Sequence, residues 1–238
     1  MSHLVFDIET AALPLESFDD VQQEYLLREA NKIEDPAARQ MKSEDLQRQF
    51  SLYPFTARIA CIAMLNAESG KGKVLYTADD FEEETSSPIA EFTPCMDESE
   101  MIAEFWSIAS KFDSVVTFNG RGFDVPFLYL RSAILNVPIS RKDWLGYRYQ
   151  IEPHCDLAEQ LTFYCVSGRD GASRKFNLDF YCKSFGIESP KSAGISGMDV
   201  TNLMAAGCHR AIAEYCLRDV VATAQLYQIW RERLSGIK

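Results

Sequence analysis

The residues best able to do chemistry in this 238-residue chain are carboxylates in three short constellations. Asp7-x-Glu9 follows the strand-forming run Leu4-Val5-Phe6, Asn119-x-x-x-Phe123-Asp124 follows Ser114-Val115-Val116-Thr117-Phe118, and Tyr215-x-x-x-Asp219 lies in a late helical stretch. Side chains alternate faces along a strand, so Asp7 and Glu9 project on the same side. Two like charges on a half-buried surface are unfavourable unless a cation sits between them. Tyr215 and Asp219 stand at i and i+4 and share a helix face. The neighbouring stripe Ile212, Cys216, Val220, Ala224 and Tyr227 is suited to packing on a sheet. Asp219 is thereby left at the edge of a buried stripe, where an unpaired carboxylate is costly. Each constellation also has an ordinary reading: a solvated strand end for Asp7 and Glu9, a helix N-cap for Asp124, and chance for the Tyr–Asp pair.

The composition narrows which ion such acids could hold. Seven cysteines (Cys61, Cys95, Cys155, Cys165, Cys182, Cys208 and Cys216) are odd in number, scattered, and never paired as C-x-x-C, which argues against a disulfide framework or a zinc knuckle. With three histidines, a His-based metal site is also disfavoured. A hard ion on carboxylates remains. The net charge of −11 is the wrong sign for binding nucleic acid by bulk electrostatics. A local basic strip and bound divalent ions could still hold a phosphodiester, with a modest footprint and weak duplex binding. No apolar run approaches the roughly 18 residues that span a bilayer, so no membrane partner is expected. The start Met1-Ser2-His3 enters a strand with no signal-type stretch, and a cytoplasmic location is expected.

The elements that must position these residues read as one α/β domain over 1–238. After the first strand, residues 16–50 form a helical insertion, with helices expected at 20–32 and 36–50 on either side of the break at Pro36. It could be a surface cap or a lid over the site. Strands follow at 57–66 and 73–77, then an acidic loop at 79–87. Asp97-x-x-Glu100 opens a helix whose inner face is Ile102, Phe105, Trp106 and Ala109. The strand at 114–118 then implies a crossover and a parallel pairing. An edge strand is expected to end at His154-Cys155-Asp156, followed by a helix at 157–166. The loop 167–175 holds Arg169, Arg174 and Lys175. Asn177 and Gly186 bound another helix, and a long helix closes the chain at 208–234.

The three constellations, in this order, together with the segment from Pro190 through Gly194-Ile195-Ser196-Gly197-Met198-Asp199-Val200 to Ile212–Val220, resemble the DEDD superfamily of 3′–5′ exonucleases. The resemblance is to its tyrosine-bearing branch, and within that to stand-alone proteins related to the proofreading exonuclease domain of family B DNA polymerases. It covers nearly the whole chain and is weakest over Glu16–Gln49. It implies a ribonuclease-H-like fold, a mixed central sheet flanked by helices. It also implies that Asp7, Glu9, Asp124 and Asp219 are the metal-binding acids and that Tyr215 helps position the attacking water. The histidine-bearing branch needs His near the Tyr215 position. His209 lies six residues earlier and is expected on the surface of the last helix.

The implied cofactors are two Mg²⁺ or Mn²⁺ ions about 3.5–4 Å apart, one activating water and the other stabilising the leaving 3′ oxygen. The implied activity is release of nucleoside 5′-monophosphates from 3′ ends of single-stranded nucleic acid, with DNA favoured over RNA. Thr10, Asn119 and Phe123 are expected to grip the terminal nucleotide, although Phe123 could equally be core packing. Asp156 either supports the site from behind or caps a helix. Competing readings are an exoribonuclease using the same site, a catalytically silent nucleic-acid-binding module, and a ribonuclease-H-type endonuclease.

Overall fold

The computed structural model describes residues 1–78, 85–165, 171–190 and 197–237. Residues 79–84 of the acidic loop, 166–170 with Arg169, and 191–196 of the C-terminal signature lie outside the described residues. The central strand, β1 (His3–Ala12), pairs antiparallel with β2 (Ala57–Asn66), and its start pairs parallel with β6 (Ser114–Thr117). Outward from β2 come β3 (Gly72–Thr77), β5 (Ala90–Cys95) and the two-residue β4 (Thr85–Ser86). On the other side β7 (His154–Asp156) adds parallel to β6. The order β4-β5-β3-β2-β1-β6-β7 makes one mixed, seven-stranded sheet.

Alternation along β1 sorts its side chains into two layers. Leu4, Phe6 and Ile8 face α3 (Glu98–Ala109) and α4 (Asp124–Ile134), with Phe105, Trp106, Phe127 and Trp144 filling that core. Val5 and Ala11 belong to the opposite core, with Ile212, Cys216 and Val220 of α8 (His209–Arg233) and parts of α6 (Leu178–Phe185) and α7 (Val200–Ala205). Asp7 and Glu9 share this second face by the same alternation. β2 is apolar almost throughout because helices cover it on both sides.

Local signals set the helix ends. Asp19 and Gln22 form a capping box at α1 (Asp20–Asn31), and Asp35 caps α2 (Pro36–Arg48), with Pro36 in its first turn. Asp97 accepts from the Glu100 amide to start α3, while the Glu100 carboxylate reaches back to Met96 rather than to Asp97. Asn177 caps α6, and Gly186, at φ +73°, ends it.

Three expectations differ from the structure. Strand β5 was hidden by Pro94 and by Pro88 just before it, since proline inside an apolar run argues against a ladder strand. Ala90 accepts from Ser87 on the β4 side, so Pro94, four residues on, faces that same side, and its missing N–H removes no bond to β3. The helix expected at 157–166 is only α5 (Leu157–Leu161). The Thr162 hydroxyl turns back onto the Ala158 carbonyl, and Phe163, Tyr164 and Cys165 adopt positive φ of 47°, 58° and 54°. His209 is buried rather than on the surface, because α7 packs against the start of α8. Among the described residues no helix is long and apolar enough to cross a membrane.

Candidate active site

Four elements bring the acids together. Along β1 the pairing with β2 shifts register between Glu9 and Thr10: Glu9 faces Cys61 while Thr10 faces Ile59. Such an irregularity bends a strand and re-aims its side chains, as is common beside sites. Beyond β6 the chain turns sharply through Asn119, at φ +68°, and Gly120, where a Cβ would overlap the Thr117 side chain. Asp156, almost fully buried at the end of β7, accepts from the amides of Asn119 (2.9 Å) and Arg121 (3.0 Å). The same carboxylate accepts from Ala158 at 2.9 Å as the N-cap of α5, so it is both a helix cap and a brace behind the site.

This brace presents α4 to the central strand. Phe123 occupies the position before the helix and caps nothing, so Asp124 is the first helical residue and not the N-cap. Its Oδ1 accepts instead from the Ile8 amide of β1 at 3.1 Å. From the other layer α8 brings Tyr215 and Asp219 to the same point, and the Tyr215 hydroxyl donates to the Asp219 carboxylate.

The four acids lie close enough for their charges to act on one another. Burial pushes Asp7 well above the usual carboxylate range, and the charges of Asp124, Asp219 and Glu9 add to the effect. Burial does the same to Glu9, followed by Asp219 and Asp124. Asp124 is pushed up to about 7, where burial outweighs the hydrogen bond from Ile8 and the charges of Asp156 and Asp219 reinforce it. The Tyr215 phenol is raised by burial and then by Asp219, Glu9 and Asp7. No lysine or arginine pairs with Asp7, Glu9 or Asp124 among the described residues. One donor atom each from Asp7, Glu9 and Cys216 lies within 4.8 Å of the others. Crowded, buried oxygen donors without a cation fit hard divalent ions.

The other expected residues surround this centre. Asn119 Oδ1 accepts from the Lys175 ammonium, and both line a cleft of about 530 Å³ that reaches Tyr215 and Asp219. A second cleft of about 500 Å³ shares Asn119 and Lys175 and adds Arg121 and Arg148. Phe123 is half-buried, 5.5 Å from the Phe127 ring, so it packs on the core and keeps an open side. The Thr10 hydroxyl donates to the Ser51 carbonyl at 2.7 Å, tying β1 to the turn after α2. His154 is no ligand. Burial pushes it down to about 4, its Nδ1–H donates to the Trp144 carbonyl, and its Nε2 accepts from Thr117. Sequence reasoning missed Arg121, Arg148 and the nearness of Cys216. The arginines lie in ordinary polar stretches, and Cys216 was hidden by its apolar stripe.

A mixed sheet of this order, with acids from its central strand, a helix start and a C-terminal helix, is the ribonuclease-H-like fold. The family B DNA polymerase from the hyperthermophilic archaeon Pyrobaculum calidifontis has the same fold, with a TM-score of 0.58 at 20% identity over 97% of this chain and 24% of that one. Residues 49–235 match the family described as "predicted 3′-5′ exonuclease related to the exonuclease domain of PolB", and the chain belongs to that family. Residues 1–48, with Asp7 and Glu9, precede the matched span. The chain is also 28% identical over 136 residues to DNA polymerase 1 of Saccharolobus solfataricus, a match covering 54% of this chain and 15% of that polymerase. It therefore spans a small part of the polymerases that it matches.

Proposed function

We propose that residues 1–238 form one metal-dependent exonuclease domain that removes nucleoside 5′-monophosphates from 3′ ends of single-stranded DNA. The observation that carries this reading is the convergence of Asp7, Glu9, Asp124 and Asp219, far apart in sequence, with no matching cation for the first three among the described residues. These acids would hold two divalent ions, Mg²⁺ or Mn²⁺, which would supply an activated water and a counter-charge for the leaving 3′ oxygen. Tyr215, raised by burial and then by its acidic neighbours, stays protonated at neutral pH. Its single hydroxyl proton, donated to Asp219, would turn to a water or a phosphate oxygen once ions engage that carboxylate, so Tyr215 orients and does not take up the proton.

Asn119, Phe123 and Thr10 border the terminal nucleotide, with the exposed side of Phe123 offered to a base or sugar. Asp156 holds the Asn119–Arg121 turn in place. Lys175, Arg121 and Arg148 line the adjoining clefts among acids, the two arginines sharing Glu159, and are the cations there that a backbone phosphate of a single strand would meet. The test is digestion of 3′- and 5′-labelled single strands, DNA beside RNA, with Mg²⁺. Mononucleotides should come from the 3′ end, DNA should be the better substrate, and EDTA should stop the reaction. Undiminished cleavage by purified Asp7→Ala would refute the site.

A further inference from the structure

We propose that Cys216 is a further ligand of this site, through which it binds a thiophilic divalent ion of the Zn²⁺ or Cd²⁺ class with Asp7 and Glu9. The inference rests on the metal-site reading above and adds to it a sulfur donor, with the buried Cys61 thiol beside it.

Cys216 follows Tyr215 on α8, is completely buried, and faces β1. Its Sγ lies 3.5 Å from the Asp7 carbonyl oxygen and 3.9 Å from Asp7 Oδ2. Donor atoms of Asp7, Glu9 and Cys216 all fall within 4.8 Å of one another. A zinc ion with bonds of about 2.3 Å to sulfur and about 2.1 Å to oxygen, at a tetrahedral angle, separates the two donors by about 3.6 Å. The 3.9 Å between Cys216 Sγ and Asp7 Oδ2 thus needs only a slightly opened angle, and Glu9, within 4.8 Å of both, closes onto the ion by side-chain rotation.

Glu9 supplies an independent observation. It is 7% exposed, yet it makes no hydrogen bond or ion pair among the described residues. Its oxygens keep a narrow contact with solvent, so the carboxylate is enclosed yet open to an incoming cation. Mg²⁺ has little affinity for sulfur, whereas Zn²⁺ and Cd²⁺ bind thiolate strongly. Binding such an ion forms a metal–sulfur bond and releases the thiol proton to solvent, with no change of oxidation state. The same pocket would therefore accept a tight, inhibitory ion in place of the Mg²⁺ that works there.

The experiment is a Cd²⁺ titration followed by the ultraviolet thiolate-to-cadmium absorbance. It uses the full chain carrying Cys165→Ser and Cys208→Ser, which removes the two cysteines that are not buried. One equivalent of Cd²⁺ should raise the band, and Cys216→Ser should abolish it or weaken Cd²⁺ affinity at least tenfold. Cys216→Ala provides a second variant, and a cooperative melt shows that each is folded. A band of equal height and affinity in folded Cys216→Ser, or no band in the parent protein, overturns the proposal. The outcome is separate from the nuclease reading: a Cys216-dependent band without Mg²⁺-driven digestion would keep the metal site and remove the activity. Digestion without the band would remove only the role of Cys216.

Discussion

Two groups of buried acid lie on opposite faces of the sheet, and they are treated in opposite ways. Beneath α3, Glu98 is 9% exposed and fully matched. Arg131 donates to both of its oxygens, at 2.8 and 2.5 Å, and the Ile59 amide adds a third bond at 2.8 Å. Arg131 in turn donates to the Pro54 carbonyl at 3.0 Å. Beneath α8, Asp7 and Glu9 are crowded together, joined at the strand by Asp124 from the start of α4, with no such cation among the described residues. The first arrangement is complete within the protein and holds helices to the sheet. The second is complete only when something positive arrives, and that difference separates a structural acid from a functional one.

The largest expected break in this contrast is Asp7→Ala or Asp219→Ala. Either should lower mononucleotide release on the order of 10³-fold, about 4 kcal/mol of barrier, while the melting temperature stays level or rises because like charges have been relieved. On the other face the consequence should fall on stability. Arg131→Ala leaves Glu98 buried and unpaired and should cost about 3–5 kcal/mol in urea unfolding. A variant with unchanged urea midpoint would show that the pair contributes nothing.

Smaller effects sharpen the comparison. Tyr215→Phe keeps the ring and removes the donor, and should slow turnover about 10- to 100-fold with little change in KM, measured at saturating oligonucleotide. The pH dependence of stability should also carry the signature of unmatched acids. Asp7, Glu9 and Asp124 have folded pKa values above their unfolded ones, so their contribution is favourable at low pH and is lost as pH rises through the folded values. In EDTA the melting temperature should therefore fall between about pH 4 and the Asp124 value of about 7 and beyond. The gain on adding Mg²⁺ should grow over the same range. A metal-free melting temperature that rises steadily with pH would contradict the arrangement.

Much of the fold was legible because local signals agreed with the tertiary outcome. The apolar run of β2 matches Ala57–Asn66, the caps at Asp97 and Asn177 open α3 and α6, and the stripe from Ile212 to Tyr227 is the buried face of α8. Strand β5 was not legible, because its ladder is defined by β3 on one side and a proline obscures its pattern. His209 was misplaced for a related reason: a polar residue at a helix start looks solvated until a neighbouring helix is packed over it. Asp156 posed two alternatives in the sequence, and the structure uses one carboxylate for both.

By itself the sequence determined the residue types and their order: acids on a strand, after a glycine turn, and on a late helix, in a chain of net charge −11. Spacing along strand and helix also determined which of them share a face, since those periods are properties of the backbone. Only the tertiary structure decided that Asp124 turns to β1 instead of capping α4, that Glu98 finds Arg131, and that Cys216 lies beside Asp7. Such pairings join residues tens to hundreds of positions apart, and no local period reports them. They follow from how two helical layers close on one sheet.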